Sequence, residues 1–448
     1  MLGNPLVVAF LHFCAPIWMP PQARLTVEDA VRIALVQSPK LKAARMELEA
    51  QQSQADRERP VARPTVSARA EGTLQGPRVT FPRAGSGDVT VLPERYGQVA
   101  LSVEQPLFRA GIRAAGMRFA AQTQANLLEL RRQENDLALE VRKAFYAVQT
   151  AEAMSDTARS GADLARKHLE LTRVMLQAGT ASERDVKASE ADVAQAEQGV
   201  YEAEAGVLLA RANLNRLLGR DPATPIELVP AGMPAHIPAS AGPGIEQALK
   251  QRPELLLLEE ELKAAKAGAV LAASQDKPGI SMRAVAQTQT PSAFVRSSYF
   301  AAGLVLNWTP FDGGKTRADV REARARAAQL EALLEDAKLG IRVDVEKAVA
   351  DAQEALHSIE AADRQIAAAQ AAADVSELRY QARSATQIEV SAAIFNVTKA
   401  RSNRVQALGN LLTALAEYDH AVGAEVAPSA EARGTPAHRG EGALGAGK

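Results

Sequence analysis

The 448-residue chain sets 52 Lys plus Arg against 53 Asp plus Glu, so no bulk field directs it toward nucleic acid or an anionic membrane surface. Aromatic residues make up only 4% and alanine fills long tracts without proline, which disfavours compact cores and favours extended helices. One cysteine, Cys14, excludes internal disulfides and a cysteine-based metal site.

Residues 1–24 read as a secretory signal segment. Its apolar stretch LVVAFLHFCAPIWM has the length of a signal-peptide core and is too short for a membrane-spanning helix. No Lys or Arg precedes Arg24, and Leu11, His12 and Phe13 are not the small residues that lipid attachment at Cys14 needs, so a disordered or mis-started N-terminus is the alternative.

From Leu25 the pattern predicts a helix capped by Thr26 and broken at Pro39. Two segments of strict alternation follow: Val66, Ala68, Ala70, Gly72 and Leu74 share one face of the first, and Val99, Leu101 and Val103 one face of the second, over residues 96–105. Each has the length that crosses a bilayer when tilted. The phrase PLFRAG then opens residues 107–221, a tract without proline, where Leu130, Leu137, Ala144, Ala151, Ala158 and Ala165 recur every heptad beside Val141, Val148 and Leu169. That is a coiled-coil seam with small knobs. One interruption, AGTAS at 178–182, divides the tract into two antiparallel helices, the first reaching about 100 Å at about 1.5 Å per residue.

A proline-rich linker, 219–244, separates this unit from a second copy. In residues 245–423 the order returns: a helix broken at Pro253, strands in which Ile280, Met282, Ala284 and Ala286, then Phe300, Ala302, Leu304, Leu306 and Trp308, share one face, the phrase PFDGG, and a second long tract (311–427) interrupted at RSAT. The domains are thus 1–24, a first repeat 25–218, the linker, a second repeat 245–423, and a disordered tail 424–448.

Four membrane-length strands cannot close a barrel, and an open edge in lipid leaves backbone groups unpaired. Copies must pool strands. Two copies give eight and three give twelve, and only the larger number leaves appreciable bore.

The repeated order of helix, two strands, P-x-F-x-x-G or P-F-D-G-G, very long helix, tight turn with a following acidic residue, and return helix resembles the TolC-like outer-membrane efflux protein family over most of the chain. The resemblance implies a mainly α protein with membrane β-strands. It forms a homotrimer, with a twelve-stranded β-barrel in outer-membrane lipid continued by a helical periplasmic tunnel. It also implies a periplasmic adaptor (membrane fusion) protein and an inner-membrane pump, of RND or ABC type, as partners in efflux or type I secretion, with no cofactor and no catalytic site. The two arms agree in length: from Phe108 to Asp185 and from Phe311 to Glu389 the spacing differs by one position.

By that resemblance the adaptor-contacting tips are Ala178, Gly179, Thr180 and Ala181, and Arg383, Ser384, Ala385 and Thr386. Asp185, Tyr380 and Glu389 are constriction candidates. Arg383 stands where the family usually has glycine, a departure that bears on the shape of the second turn. Glu389 aligns with an acidic ring position and Ala392 with a second position that is acidic in some relatives. Both Ser182-x-x-Asp185 and Thr386-x-x-Glu389 also have capping-box form, which explains the acids without a pore. Phe108, Gly111, Phe311, Gly313 and Gly314 are read as strand-to-helix junctions. Tyr96, Phe108, Tyr299, Phe300, Trp308 and Phe311 are candidates for interfacial girdles, with plugging of the junction as the other reading of the two junction phenylalanines.

An enzyme is disfavoured, because the six histidines are scattered and no metal-ligand spacing occurs. A soluble coiled-coil scaffold explains the seams and leaves the four strands unexplained.

Overall fold

The structure, a computed structural model, describes residues 24–58, 63–82, 85, 87–291 and 296–424. The expected signal segment up to residue 23, with Cys14, and the tail beyond residue 424 lie outside them.

The first repeat contains α1 (Val27–Gln37), α2 (Pro39–Glu58), β1 (Thr65–Leu74), β2 (Val79–Phe81), β3 (Val89–Leu92), β4 (Arg95–Arg109), α3 (Ile112–Gln177) and α4 (Glu183–Leu217). The second contains α5 (Gly242–Gln251), α6 (Pro253–Ala272), β5 (Gly279–Gln289), β6 (Ser298–Asn307), α7 (Lys315–Gln381) and α8 (Gln387–Ala421). Thr26 caps α1 by accepting from the Asp29 amide. Pro39 and Pro253 each end one helix and begin the next, since a proline at the first helical position loses no hydrogen bond. Among the described residues no helix is long and apolar enough to cross a membrane.

The long helices are 66 and 67 residues, but the return helices α4 and α8 are each 35. The return arm therefore lines only about half of each long arm. The strand-side half of α3 is covered by α2, through Lys40–Glu140 (2.7 Å) and Arg45–Glu134 (3.4 Å), and α6 reaches α7 through Lys266–Glu331 (2.7 Å). The main core sits where these sets meet, with Leu41, Leu137, Val141, Phe145, Leu214 and Leu218 nearly or fully buried. Along the predicted heptads Leu137, Ala144, Val148 and Leu169 are buried, while Leu127 at the strand-side end is exposed.

The linker is bound rather than loose. Leu228 bridges Leu25 in parallel, Ile226 is buried, and the Gln149 amide brackets Ala231, donating to its carbonyl at 2.8 Å and accepting from its amide at 3.1 Å.

The two repeats meet along α3 and α8, which run antiparallel. A Cβ at Gly161 would fall 2.8 Å from Thr398 Oγ1, and one at Gly409 would fall 2.3 Å from Thr150 Oγ1. Each helix thus offers a glycine to the other's threonine, and the backbones approach as only a residue without a side chain permits. Arg142–Asp419 (3.1 Å) and Lys143–Glu417 (2.5 Å) flank the seam.

One antiparallel sheet, ordered β1-β4-β5-β6, joins strands of both repeats, and its outer strands β1 and β6 have no further neighbour among the described residues. The register pairs Val103 with Val66 and Ala284, and Met282 with Leu304. One face is therefore apolar, and Val66, Val99, Leu101, Met282, Phe300 and Leu304 on it are exposed. The other face is polar: Ser67 bonds Ser102 at 2.7 Å and Arg283 donates to Glu104 at 2.8 Å.

Three details differ from the sequence reading. β4 continues past Gln105 to Arg109, because an irregularity between Pro106 and Phe108 absorbs one residue and lets the ladder resume at Phe108–Ile280, on the apolar face. Tyr96 and Tyr299, candidates for girdles, lie on the polar face, where their hydroxyls donate to Gln98 and Gln289, and to Gln287. β2 and β3 form an unpredicted ribbon between β1 and β4. Phe300 and Trp308 stay exposed, and Trp308 Nε1 donates to the Asp276 carbonyl. Gly111 and Gly314 immediately precede α3 and α7 at φ 81° and 90°, with Gly313 at 69° and Phe311 exposed beside them.

Candidate functional site

The ends of the helical arms furthest from the sheet are two turns built alike. In the first, Ala178 closes α3 and Gly179 takes the left-handed conformation at φ 70°. The Thr180 amide and hydroxyl both donate to the Met175 carbonyl, at 2.8 and 2.9 Å, and the Ala181 amide reaches the same oxygen at 3.2 Å. In the second, the Ser384 amide and hydroxyl donate to the Arg379 carbonyl at 2.8 and 3.1 Å, and Ala385 leads to Thr386, the cap of α8. Arg383 occupies the position of Gly179 at φ 61°, the one positive φ of a non-glycine residue among those described. The turn keeps its shape, and the arginine carries the strain. For an L-residue that conformation costs about 1–2 kcal/mol. Arg383→Gly is accordingly expected to stabilise the protein by about 1 kcal/mol, read as a higher denaturation midpoint. An unchanged or lower midpoint would show that the arginine side chain repays the strain.

Both expected capping boxes are present. Ser182 and Asp185 exchange bonds: the Ser182 amide and hydroxyl donate to Asp185 Oδ2 at 3.0 and 2.8 Å, and the Asp185 amide donates back at 3.2 Å. The amide bond first, then the hydroxyl bond, holds the Asp185 carboxyl below the usual carboxylate range. Thr386 and Glu389 repeat the box with longer bonds, 3.2 to 3.4 Å, so Glu389 is held more loosely. Its other oxygen stands 4.0 Å from Arg379, a residue the sequence reading passed over, which also donates to the Ser384 carbonyl. Glu389 is exposed and Tyr380 is buried, so the constriction candidates do not share one environment.

Behind the turns lies a polar cluster that the sequence reading also missed. Gln387, buried at the start of α8, donates to Asp192 of α4 at 3.0 Å and to Ser391 at 2.8 Å, and the Ser391 hydroxyl donates to Asp192 at 2.5 Å. These bonds tie the start of α8 to the third turn of α4 and so join the two repeats behind their tips. His168 of α3 packs against Tyr380, with ring centroids 5.3 Å apart. Neither ring nitrogen of His168 nor the Tyr380 hydroxyl has a hydrogen-bond partner among the described residues. The available signal was a set of polar residues at seam spacing, Gln387 with Ser391 and His168 with Thr172.

Nearer the sheet, Asp136, Glu254 and His420 bring ligand-type atoms within 4.8 Å of one another. Arg132 donates to Asp136 at 3.0 Å and Arg252 stands 3.5 Å from Glu254, so arginines already supply the positive charge that a metal would bring. With His420 hydrogen-bonded to Asp136 at 3.0 Å, the group reads as an inter-repeat polar knot flanked by arginine ion pairs.

Residues 30–220 and 244–424 match the family model for outer membrane efflux protein. A stretch of 161 residues is 33% identical to Protein CyaE of Bordetella pertussis, strain Tohama I, and covers 35% of this chain and 34% of that protein. The chain thus spans about a third of the length of this curated relative in the match. Among solved structures, the outer-membrane channel OprN superposes with a TM-score of 0.76 at 22% identity, over 89% of this chain and 90% of that one. The outer membrane protein VceC from Vibrio cholerae gives 0.76 at 18% identity, over 89% and 96%. At these identities the likeness is one of fold.

Proposed function

The chain belongs to the outer membrane efflux protein family, and from that membership we propose that it is the passive exit duct of a tripartite export system. The observation that carries the reading is the sheet. It exposes an apolar face, keeps a polar one behind it, and ends in two strands of ten residues each whose outer edges pair with nothing among the described residues. An edge of that kind is untenable in lipid unless another strand covers it. β6 of one copy meets β1 of the next, and three copies close a twelve-stranded barrel with the polar face inward. The helical arms continue the barrel as a periplasmic tunnel.

In this reading the turns at 178–181 and 383–386 meet a periplasmic adaptor, which receives small-molecule or polypeptide cargo from an inner-membrane pump. Asp185, Tyr380 and Glu389 lie at the end where the tunnel narrows. Glu389, looser in its cap than Asp185, forms a threefold acidic ring that favours cations.

The test is conductance. Protein extracted from the outer-membrane fraction should be trimeric and form pores in planar bilayers, and Glu389→Gln should lower their cation selectivity. Recovery as a soluble, elongated particle without pores would overturn the duct. Pores of unchanged selectivity would leave Glu389 only its capping role.

A further inference from the structure

A cleft of about 460 Å³ opens behind the tips between α3, α4 and α8. Its walls are mainly apolar, supplied by Ala165, Ala196, Ile388 and Phe395 among others, and no Lys or Arg lines it. Five polar side chains interrupt them, those of His168, Asp192, Gln195, Ser391 and Thr398.

His168 is 5% exposed, and both ring nitrogens are buried without partners among the described residues. Burial pushes the imidazole pKa down, with the Asp192 charge acting the other way. The ring is therefore neutral at pH 7, with one donor and one acceptor nitrogen. Asp192 is the one formal charge on the cleft. Gln387 and Ser391 both bond its Oδ2, and Oδ1 takes no hydrogen bond from the described residues.

We propose that this cleft binds a small organic cation, an alkyl- or arylammonium whose nitrogen donates to Asp192 while its apolar body lies against Ile388 and Phe395. An anion would meet an unopposed carboxylate. A neutral solute would leave that carboxylate without a counter-charge, and a bare metal ion would find one carboxylate among mainly apolar walls. A primary ammonium offers three donors and supplies the counter-charge to Asp192. The volume falls in the usual range of small-molecule sites, about 300–1,000 Å³. Because α4 and α8 belong to different repeats, an occupant joins the two hairpins behind their turns.

The site does not depend on the chain conducting anything, so its test is separate from the pore measurements. The purified full chain in detergent is titrated calorimetrically with phenethylammonium at about pH 7, and in parallel with phenethyl alcohol, the uncharged analogue. The expected result is saturable binding of one ammonium per protomer. Affinity should be weaker by about tenfold or more for the alcohol and for Asp192→Asn. Ala196→Phe, which fills the cleft and removes no polar group, should abolish binding while leaving the unfolding temperature close to that of the parent. Absence of saturation with the unaltered protein, equal affinity for alcohol and ammonium, or full binding by a folded Ala196→Phe variant would each overturn the proposal.

Discussion

Arginine in place of Ala302 is expected to cost about 2–4 kcal/mol and to deplete the protein from the outer membrane, whereas arginine in place of the adjacent Ala301 is expected to cost about 1 kcal/mol or less. The two positions differ in little else. Both are exposed alanines near the middle of β6, opposite Val285 (Ala301) and Ala284 (Ala302). Strand geometry sends neighbouring side chains to opposite faces, so Ala302 joins Leu304 and Phe300 while Ala301 joins Tyr299. A guanidinium on the first face enters hydrocarbon in the proposed barrel, and on the second it enters a polar lumen. In a water-soluble protein both are surface changes, worth about 0.5 kcal/mol at most. Urea unfolding of the protein in bilayers, with outer-membrane yield, separates the cases. Equal costs at the two positions would remove the membrane reading of this sheet.

A second expected result concerns the junctions. Gly111→Ala should destabilise by about 3 kcal/mol and Gly314→Ala by only about 1–2 kcal/mol, although the two glycines open equivalent helices in the same left-handed conformation. The shared part is the backbone penalty. The difference is space: a Cβ at Gly111 would fall 2.1 Å from Ser274 Oγ, 2.9 Å from Ser274 Cβ and 3.1 Å from Leu271 Cδ1, whereas at Gly314 nothing lies within 4 Å. Ser274 is held in place by its own hydroxyl, which donates to the Leu271 carbonyl at 2.6 Å. Adding Ser274→Gly to the Gly111 variant should therefore recover the steric part and leave the backbone part. Denaturant midpoints of the two single variants and the double variant measure this. Equal losses at Gly111 and Gly314 would mean that the end of α6 yields without cost.

Periodicity carried most of the fold in the sequence. Alternation at Val99, Leu101 and Val103 marked a strand because a one-residue slip would exchange its faces. The heptads of α3 marked a helix for the same kind of reason. What periodicity did not reveal falls into three kinds. β2 and β3 are three and four residues long, too short to show a period amid glycine and proline. The half-length of α4 and α8 follows from the bounds of each tract, but what finishes the wall beside them is invisible, because α1, α2, α5 and α6 lie far away in sequence. The linker's prolines report correctly that it is neither helix nor strand before α5, but Ile226 and Leu228 between them were the sign that it packs. At the tips, the capping boxes were legible as Ser-x-x-Asp and Thr-x-x-Glu. The contact of His168 with Tyr380 and the bonds of Gln387 with Asp192 were not, since they cross between repeats and no local rule joins positions that distant.

The paired turns have a consequence for symmetry. A chain holding two identical repeats would, in a ring of three, present six equivalent hairpins. Here one hairpin of each pair turns through a relaxed glycine and the other through a strained arginine at φ 61°, so the proposed ring would repeat three times rather than six. In such a ring strain would mark every other hairpin around the rim, and its two sets of tips would be mechanically unlike.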